Sequence, residues 1–220
     1  MNRNELVQAI AGGEVISGED FSGQDLSGAN LSGGILEAVS FAGANLTGVD
    51  WTESVLSRCT FEGAKFDGAR MRQAVFERSL FAKASFRDAD MGALRFIQSD
   101  VTNADLTGAS LKMGAVIQSD LTGALLVKAN LERTSLLDCI TAQVSFAGAH
   151  LKQTVLIGAD FCTADLTGAV FELAVLIKSK FSGMDLRGMK FDNTQFMNAD
   201  LSGADLSGAS LAGETAAGAS

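Results

Sequence analysis

Every fifth residue from Phe21 to Leu211 is large and apolar, a run of 39 positions interrupted once, at Thr141. All 14 Phe and the single Trp, Trp51, fall on numbers ending in 1 or 6. A register held this long marks a chain that stacks one small unit on itself, rather than one that assembles a globular core from distant segments. Five matches neither the helical period of 3.6 nor the strand period of 2.0.

The residues around each apolar centre say what the unit is. The residue two before it is small, as at Ala29, Ala44, Ala64 and Ala104, and the residue just before it is often Asp or Asn. The residue after it is commonly Ser or Thr, and 20 of the 24 Gly fall two after it or at the equivalent numbers. Ala204-Asp205-Leu206-Ser207-Gly208 shows the full pattern. Within one unit the small and large residues, two apart, point to the same side of an extended segment. Gly then supplies a turn with positive φ. A turn every five residues makes the chain coil, and the absence of Pro suits a coil whose rungs donate backbone hydrogen bonds to one another.

This pattern resembles the pentapeptide-repeat family over roughly residues 19–213. The resemblance implies an all-β fold, a right-handed quadrilateral parallel β-helix with four pentapeptides per coil. The residues carry the four-fold count as well. Taken every twenty, the position after the centre reads Ile97, Ile117, Leu137, Ile157, Ile177, Met197, while the other three series carry mostly Ser, Thr, Ala or charged residues. About ten coils at the ~4.8 Å strand spacing give a rod on the order of 45–50 Å long.

Residues 1–13 lie outside the register and are expected to form a capping helix, with Asn4 as its cap residue. Leu6, Val7 and Ile10 would cover the first rung, and Gly12-Gly13 would stop the helix. Residues 14–213 form the β-helix, and 214–220, rich in Gly, Ala, Ser and Thr, are expected to be a flexible tail. The opening residues do not read as a signal peptide, and no apolar run reaches membrane-spanning length, which predicts a cytoplasmic location. Cys59 and Cys139 take inward positions eighty residues apart, too far for a disulfide, and Cys162 points outward.

Little here points to catalysis. His150 is the single histidine and sits on an outward position. Aspartates preceding the centres stack in loose columns, among them Asp100 with Asp120 and Asp185 with Asp205. Such carboxylates ordinarily bond to nearby backbone amides. No enzyme activity, cofactor or metal is expected. The net charge of −9 argues against direct nucleic-acid binding. Residues 4–57 hold eight acids and no base, and residues 58–95 hold eight bases against five acids.

The reading that follows is a non-enzymatic protein–protein interaction scaffold, a rigid rod with one apolar face. Its candidate interface is Ile97, Ile117, Leu137, Ile157, Ile177 and Met197, with Val155 and Val175 beside them. The partner would be another protein or a second copy of the chain. The opening, a short helix, then Gly12-Gly13-Glu14-Val15-Ile16-Ser17-Gly18 and a direct run into Asp20-Phe21-Ser22-Gly23, also resembles small pentapeptide proteins encoded with type VI secretion genes, which implies a secretion-system accessory role. The alternative comes from a resemblance to the quinolone-resistance (Qnr-like) members, which implies a rod imitating duplex DNA and bound by DNA gyrase or topoisomerase IV. The 58–95 bases interrupt the acidic surface which that reading needs.

Overall fold

The computed structural model describes residues 1–213 and 215–220. Helix α1 (Arg3–Ala11) leads into a coil that meets one side of the rod in three-residue strands: β1 (Val15–Ser17), β2 (Ile35–Glu37), β3 (Val55–Ser57), β4 (Val75–Glu77), β5 (Arg95–Ile97), β6 (Ala115–Ile117), β7 (Ser135–Leu137) and β8 (Val155–Ile157). They stack in sequence order as one parallel sheet, each residue paired with the one twenty later, as in Val15↔Ile35 and Ile97↔Ile117. The other three faces are single-residue parallel bridges with the same offset, such as Phe21's neighbour Asp20 with Ser40, and Asp25 with Asn45. Four faces per coil is therefore the observed geometry. The eight strands span about seven turns rather than the ten counted from the repeat. From Val175 on, the strand face continues only as the bridges Val155↔Val175, Val175↔Gln195 and Gln195↔Thr215.

The centres and the small residues two before them fill the interior. On one face Phe21, Phe41, Phe61 and Phe81 stack ring on ring at 5.2, 5.1 and 4.8 Å, all of them buried. Because each coil lies over its neighbour at strand spacing, identical rings twenty residues apart meet nearly parallel. Small polar residues in the inner columns keep partners. The hydroxyls of Ser54, Thr134, Thr154 and Ser179 donate to the carbonyls of Leu31, Leu111, Leu131 and Leu156 at 2.8–2.9 Å. A buried hydroxyl is tolerated only on such terms.

Between Gly18 and Gly218 the turn residue of every unit but one lies in the left-handed region, whether it is Gly or a residue such as Arg58, Gln98 or Leu173. The turn is dictated by the coil, and Gly merely adopts it without strain.

At the N-terminus the cap residue is Asn2, not Asn4. The Asn2 side chain accepts from the amides of Asn4 and Glu5, and Glu5 accepts from the Asn2 amide at 2.8 Å. This reciprocal box needs Glu three residues after the cap, and only Asn2 has it. Leu6 and Ile10 are buried and Val7 is half-buried. Gly34 lies where a Cβ would stand 3.1 Å from Ile10 Cδ1, so the first coil leaves room for the helix by omitting a side chain. The Arg3 guanidinium donates to the Ser27 carbonyl at 2.7 Å and ties the helix to that coil.

At the other end, residues 215–220, expected as a tail outside the repeat, run on along the coil. Thr215 bridges Gln195, the Leu201 amide donates to the Ser220 carbonyl, and the Ser220 amide donates to Ala199. Ala216 takes the centre and Gly218 the turn, so the backbone pattern survives after the large side chain is lost. Glu214 lies outside the described residues. Leu201, Leu206 and Leu211 are only half-buried, in contrast to the buried centres further up the rod.

Thr141, the one polar centre, is buried, and its hydroxyl donates to the Asp160 carbonyl at 2.8 Å. In other units that carbonyl receives the amide of the centre, as Leu121 N–H binds Ile140. Replacing Thr141 by Leu gives up one side-chain hydrogen bond, about 1 kcal/mol, and buries a larger apolar group for about 1.5–3 kcal/mol. The expected result is a melting temperature higher by about 2–4 °C. A clear fall on calorimetry would show that the hydroxyl has a structural duty.

Candidate interaction surface

On the strand face the residues on either side of each centre point outward. The burial pattern runs exposed or half-buried, buried, exposed or half-buried in all eight strands. The register places Ile97, Ile117, Leu137 and Ile157 side by side on β5 to β8. The next two rungs extend this column, since the Gly158 amide donates to Ile177 and the Lys178 amide to Met197, at 2.9 and 3.0 Å. Ile157 and Met197 are 41% and 42% exposed, and the rest of the column is half-buried. Val155 and Val175 bridge one another in the parallel outward column of the same face.

A second set of apolar side chains on this face was not singled out from the sequence. Val15, Ile35, Val55 and Val75 are in register on β1 to β4, in the column that Val155 and Val175 also occupy. Val15 is 59% exposed. Their signal in the sequence is the residue before the centre, which taken every twenty reads Val15, Ile35, Val55, Val75. Apolar side chains thus run the length of the face, first along one edge and then, from Ile97, along the other. The change of edge coincides with a change of neighbour: the column that carries Ile97 onward carries Ser17, Glu37, Ser57 and Glu77 before it.

The electrostatics are those of a paired surface. Arg70 meets Asp50 at 2.9 Å, Arg87 meets Asp105 at 2.6 Å and Arg72 meets Asp90 at 3.3 Å, and Arg58 pairs with Glu37. These partners are 18 to 21 residues apart, one coil away. The excess of bases in 58–95 is thereby divided among acids of adjacent coils. His150 is exposed between Asn130 and Val170. Cys59 is buried, and burial pushes its thiol up. Half-buried Cys139 is pushed up to about 11, again by burial, and Cys162 is exposed.

The aspartate columns are taken up by the backbone. Asp20, Asp25, Asp100, Asp120 and Asp205 each accept from the amide two residues on, at 2.8–3.0 Å. The Ser22 hydroxyl and amide hold the Asp20 carboxyl below its ordinary value of 3.8. Burial alone pushes Asp50 and Asp105 up, but their bonds to Thr52 and Arg70, and to Thr107 and Arg87, leave both lowered. Arg187 brings Asp185 down to about 2, and the hydroxyls of Ser182 and Ser202 bring Asp200 down to about 2. Carboxyls depressed in the fold contribute stability that is fully present above their unfolded value of 3.8 and is lost as pH falls through the folded values. The melting temperature should therefore be level above about pH 5 and fall steeply between about pH 4 and about pH 2. A melting temperature unchanged across that acid range would contradict this.

Among the described residues no helix is long and apolar enough to cross a membrane, and no group of three or more His, Cys, Asp or Glu is arranged to hold a metal.

The family model for pentapeptide repeats matches in 8 copies, among them residues 35–73, 145–183, 156–193 and 179–213. HetL from the cyanobacterium Nostoc, a pentapeptide repeat protein involved in heterocyst differentiation regulation, is similar over 98% of this chain and 94% of its own, with a TM-score of 0.64 and 22% identity. Full-length QnrB1, a plasmid-mediated fluoroquinolone resistance protein, is similar over 90% of this chain and 93% of its own, with a TM-score of 0.56 and 18% identity. At these identities the likeness is one of fold. No curated protein matches the chain. A chain that repeats the same five-residue step along its length, and that the family model and solved rods of the same build both match, belongs to the pentapeptide-repeat family.

Proposed function

We propose that the protein is a non-enzymatic interaction scaffold whose strand face docks against another protein surface. The observation that carries this reading is the in-register outward column Ile97, Ile117, Leu137, Ile157, Ile177 and Met197, which continues over six rungs without a charged residue. β-branched residues stack well in a sheet, and that alone would favour them on any face. It does not account for one face being apolar where the equivalent positions elsewhere are mostly Ser, Thr, Ala or charged. The stripe is five coil spacings tall, ~24 Å, and contiguous exposed apolar area of a few hundred Å² is what marks an interface.

A second copy is the simplest partner. Laid face to face and antiparallel, two copies put Ile97 opposite Met197, Ile117 opposite Ile177 and Leu137 opposite Ile157, so the column complements itself, as an isologous two-fold contact requires. Arg95, at the edge of the same face, would then meet Gln195. Light scattering across a dilution series tests this, with a dimer at high concentration as the expected result. If the chain stays monomeric throughout, the partner is a different protein, and pull-downs comparing wild type with a stripe variant become the test. Failure of both assays removes the reading.

The DNA-mimic alternative has less support. A surface imitating phosphate spacing has to be continuously acidic, and the pairs formed by Arg58, Arg70, Arg72 and Arg87 break the acidic rows. A gyrase supercoiling assay separates the two readings: inhibition at stoichiometric protein would favour the alternative.

A further inference from the structure

The coil is not uniformly closed. On the third face the Phe146 and Gly148 amides donate to Asp165 and Thr167 of the next coil, and the Leu186 and Gly188 amides donate to Asp205 and Ser207, at 2.7–3.1 Å. The coil gap between these two lacks the equivalent bonds. Among the described residues, the amides of Leu166, Gly168 and Asp185 make no such bond, and the bridge series runs Ser145↔Asp165 and then Asp185↔Asp205 with no link from Asp165 to Asp185. Two adjoining recesses of about 470 and 290 Å³ open there, sharing Gly168, Arg187 and Met189 in their walls. The strand face beside the gap stays closed, with Leu156 and Gly158 donating to Val175 and Ile177 at 2.8 and 2.9 Å.

Two departures from the repeat lie in the coils on either side of this gap. Met184 and Met189 occupy the inner column reserved for small residues, on successive faces of one coil, with Ala164 and Ala169 in the coil before and Ala204 and Ala209 in the coil after. Leu94, another long side chain in such a column, has Gly114 in the following coil, where a Cβ would stand 3.0 Å from the Leu94 carbonyl oxygen. Met184 and Met189 face Ala rather than Gly in the coils on either side and are half-buried at the recess, and side chains too large for a column of small residues cost packing. The second departure is Thr163, the one turn residue that does not take the left-handed conformation. Its branched Cβ disfavours positive φ, and its hydroxyl instead accepts the Gln143 amide at 2.9 Å, a role that a backbone carbonyl fills elsewhere.

We propose that Met184 and Met189, together with Thr163, form a built-in hinge that divides the rod into two cooperative units. In the unit from α1 to about Leu156 the bridges run without a break as far as the coil of Ile140, whose link to Asp160 is missing. The unit from about Phe171 onward is joined to it through the strand face and the two faces on which Asp160 bridges Lys180 and Val170 bridges Lys190, and it opens on the third face, between Asp165 and Asp185. A solenoid whose coils bond only to their neighbours separates where that nearest-neighbour coupling is weakest. The proposal is independent of what the strand face binds.

Trp51, the single Trp, lies buried in the first unit. Its fluorescence therefore reports that unit, while far-ultraviolet circular dichroism reports both. In urea the dichroism should begin to fall at lower denaturant than the fluorescence, since coincident curves are the sign of a single transition. Met184→Ala with Met189→Ala restores the small column and should bring the two curves together, and Thr163→Gly should do so in part. Hydrogen exchange on the wild type should show amides 163–169 and 184–190 exchanging about tenfold or more faster than amides 123–130 on the same face. Coincident wild-type curves, or uniform exchange along that face, would overturn the hinge. Separate curves that the Ala pair leaves unchanged would overturn the wedge as its cause. If the Ala pair fails to fold, the exchange comparison on the wild type still decides.

Discussion

A chain lacking residues 1–13 should melt well below the full protein and aggregate on standing. Leu6 and Ile10 are buried against the first coil, and burying two such side chains contributes about 3–6 kcal/mol. Their removal also uncovers Phe21, Leu26 and Leu31, which are fully buried in the intact protein. The strand edge at Val15 would lie next to that opened core, and an exposed edge beside apolar surface is a template for pairing with another chain. Light scattering and a thermal melt of the truncated protein check this. A truncated protein that stays monomeric and melts like the full chain would assign the helix to a dispensable tail. A milder version, Leu6→Ser with Ile10→Ser, keeps the Asn2–Glu5 capping box and should reproduce most of the loss.

The second large effect should come from Ile117→Glu combined with Ile157→Glu, which is expected to abolish association through the strand face. Each substitution removes about 1.5–3 kcal/mol of apolar burial at the contact and adds a charge that must be desolvated. Together they should weaken association by at least about 100-fold. The coil itself should be unharmed, for a reason visible in the fold: Glu37 and Glu77 occupy the same outward position on β2 and β4 and are half-buried there without disturbing the ladder. Circular dichroism should therefore overlay with wild type while light scattering or pull-down changes. If binding is unaffected, the column serves sheet packing alone.

Much of this protein was legible in its sequence because a solenoid turns distance along the chain into distance in space. Residues twenty apart are neighbours, so the columns Phe21–Phe81 and Ile97–Met197, the inward Ala and the outward Asp could all be placed by counting. The aspartates' preference for the amide two residues on is equally local and needs no tertiary contact. What counting could not reach were features that depend on how a departure from the repeat is absorbed. Asn2 rather than Asn4 caps the helix because only one of them has Glu at the reciprocal distance and a first coil shaped to receive Ile10. The coil runs on through Ala216 because backbone bonding to the rung above does not require a large centre. Arg70, Arg72 and Arg87 find acids one coil away, where long side chains choose among several neighbours by geometry. Met184, Met189 and Thr163 were visible as exceptions in the sequence. Only the stacked coils decide whether an exception is accommodated, as Leu94 is, fully buried with its ladder intact, or lies beside an open ladder, because that outcome depends on the space left by the coils on either side.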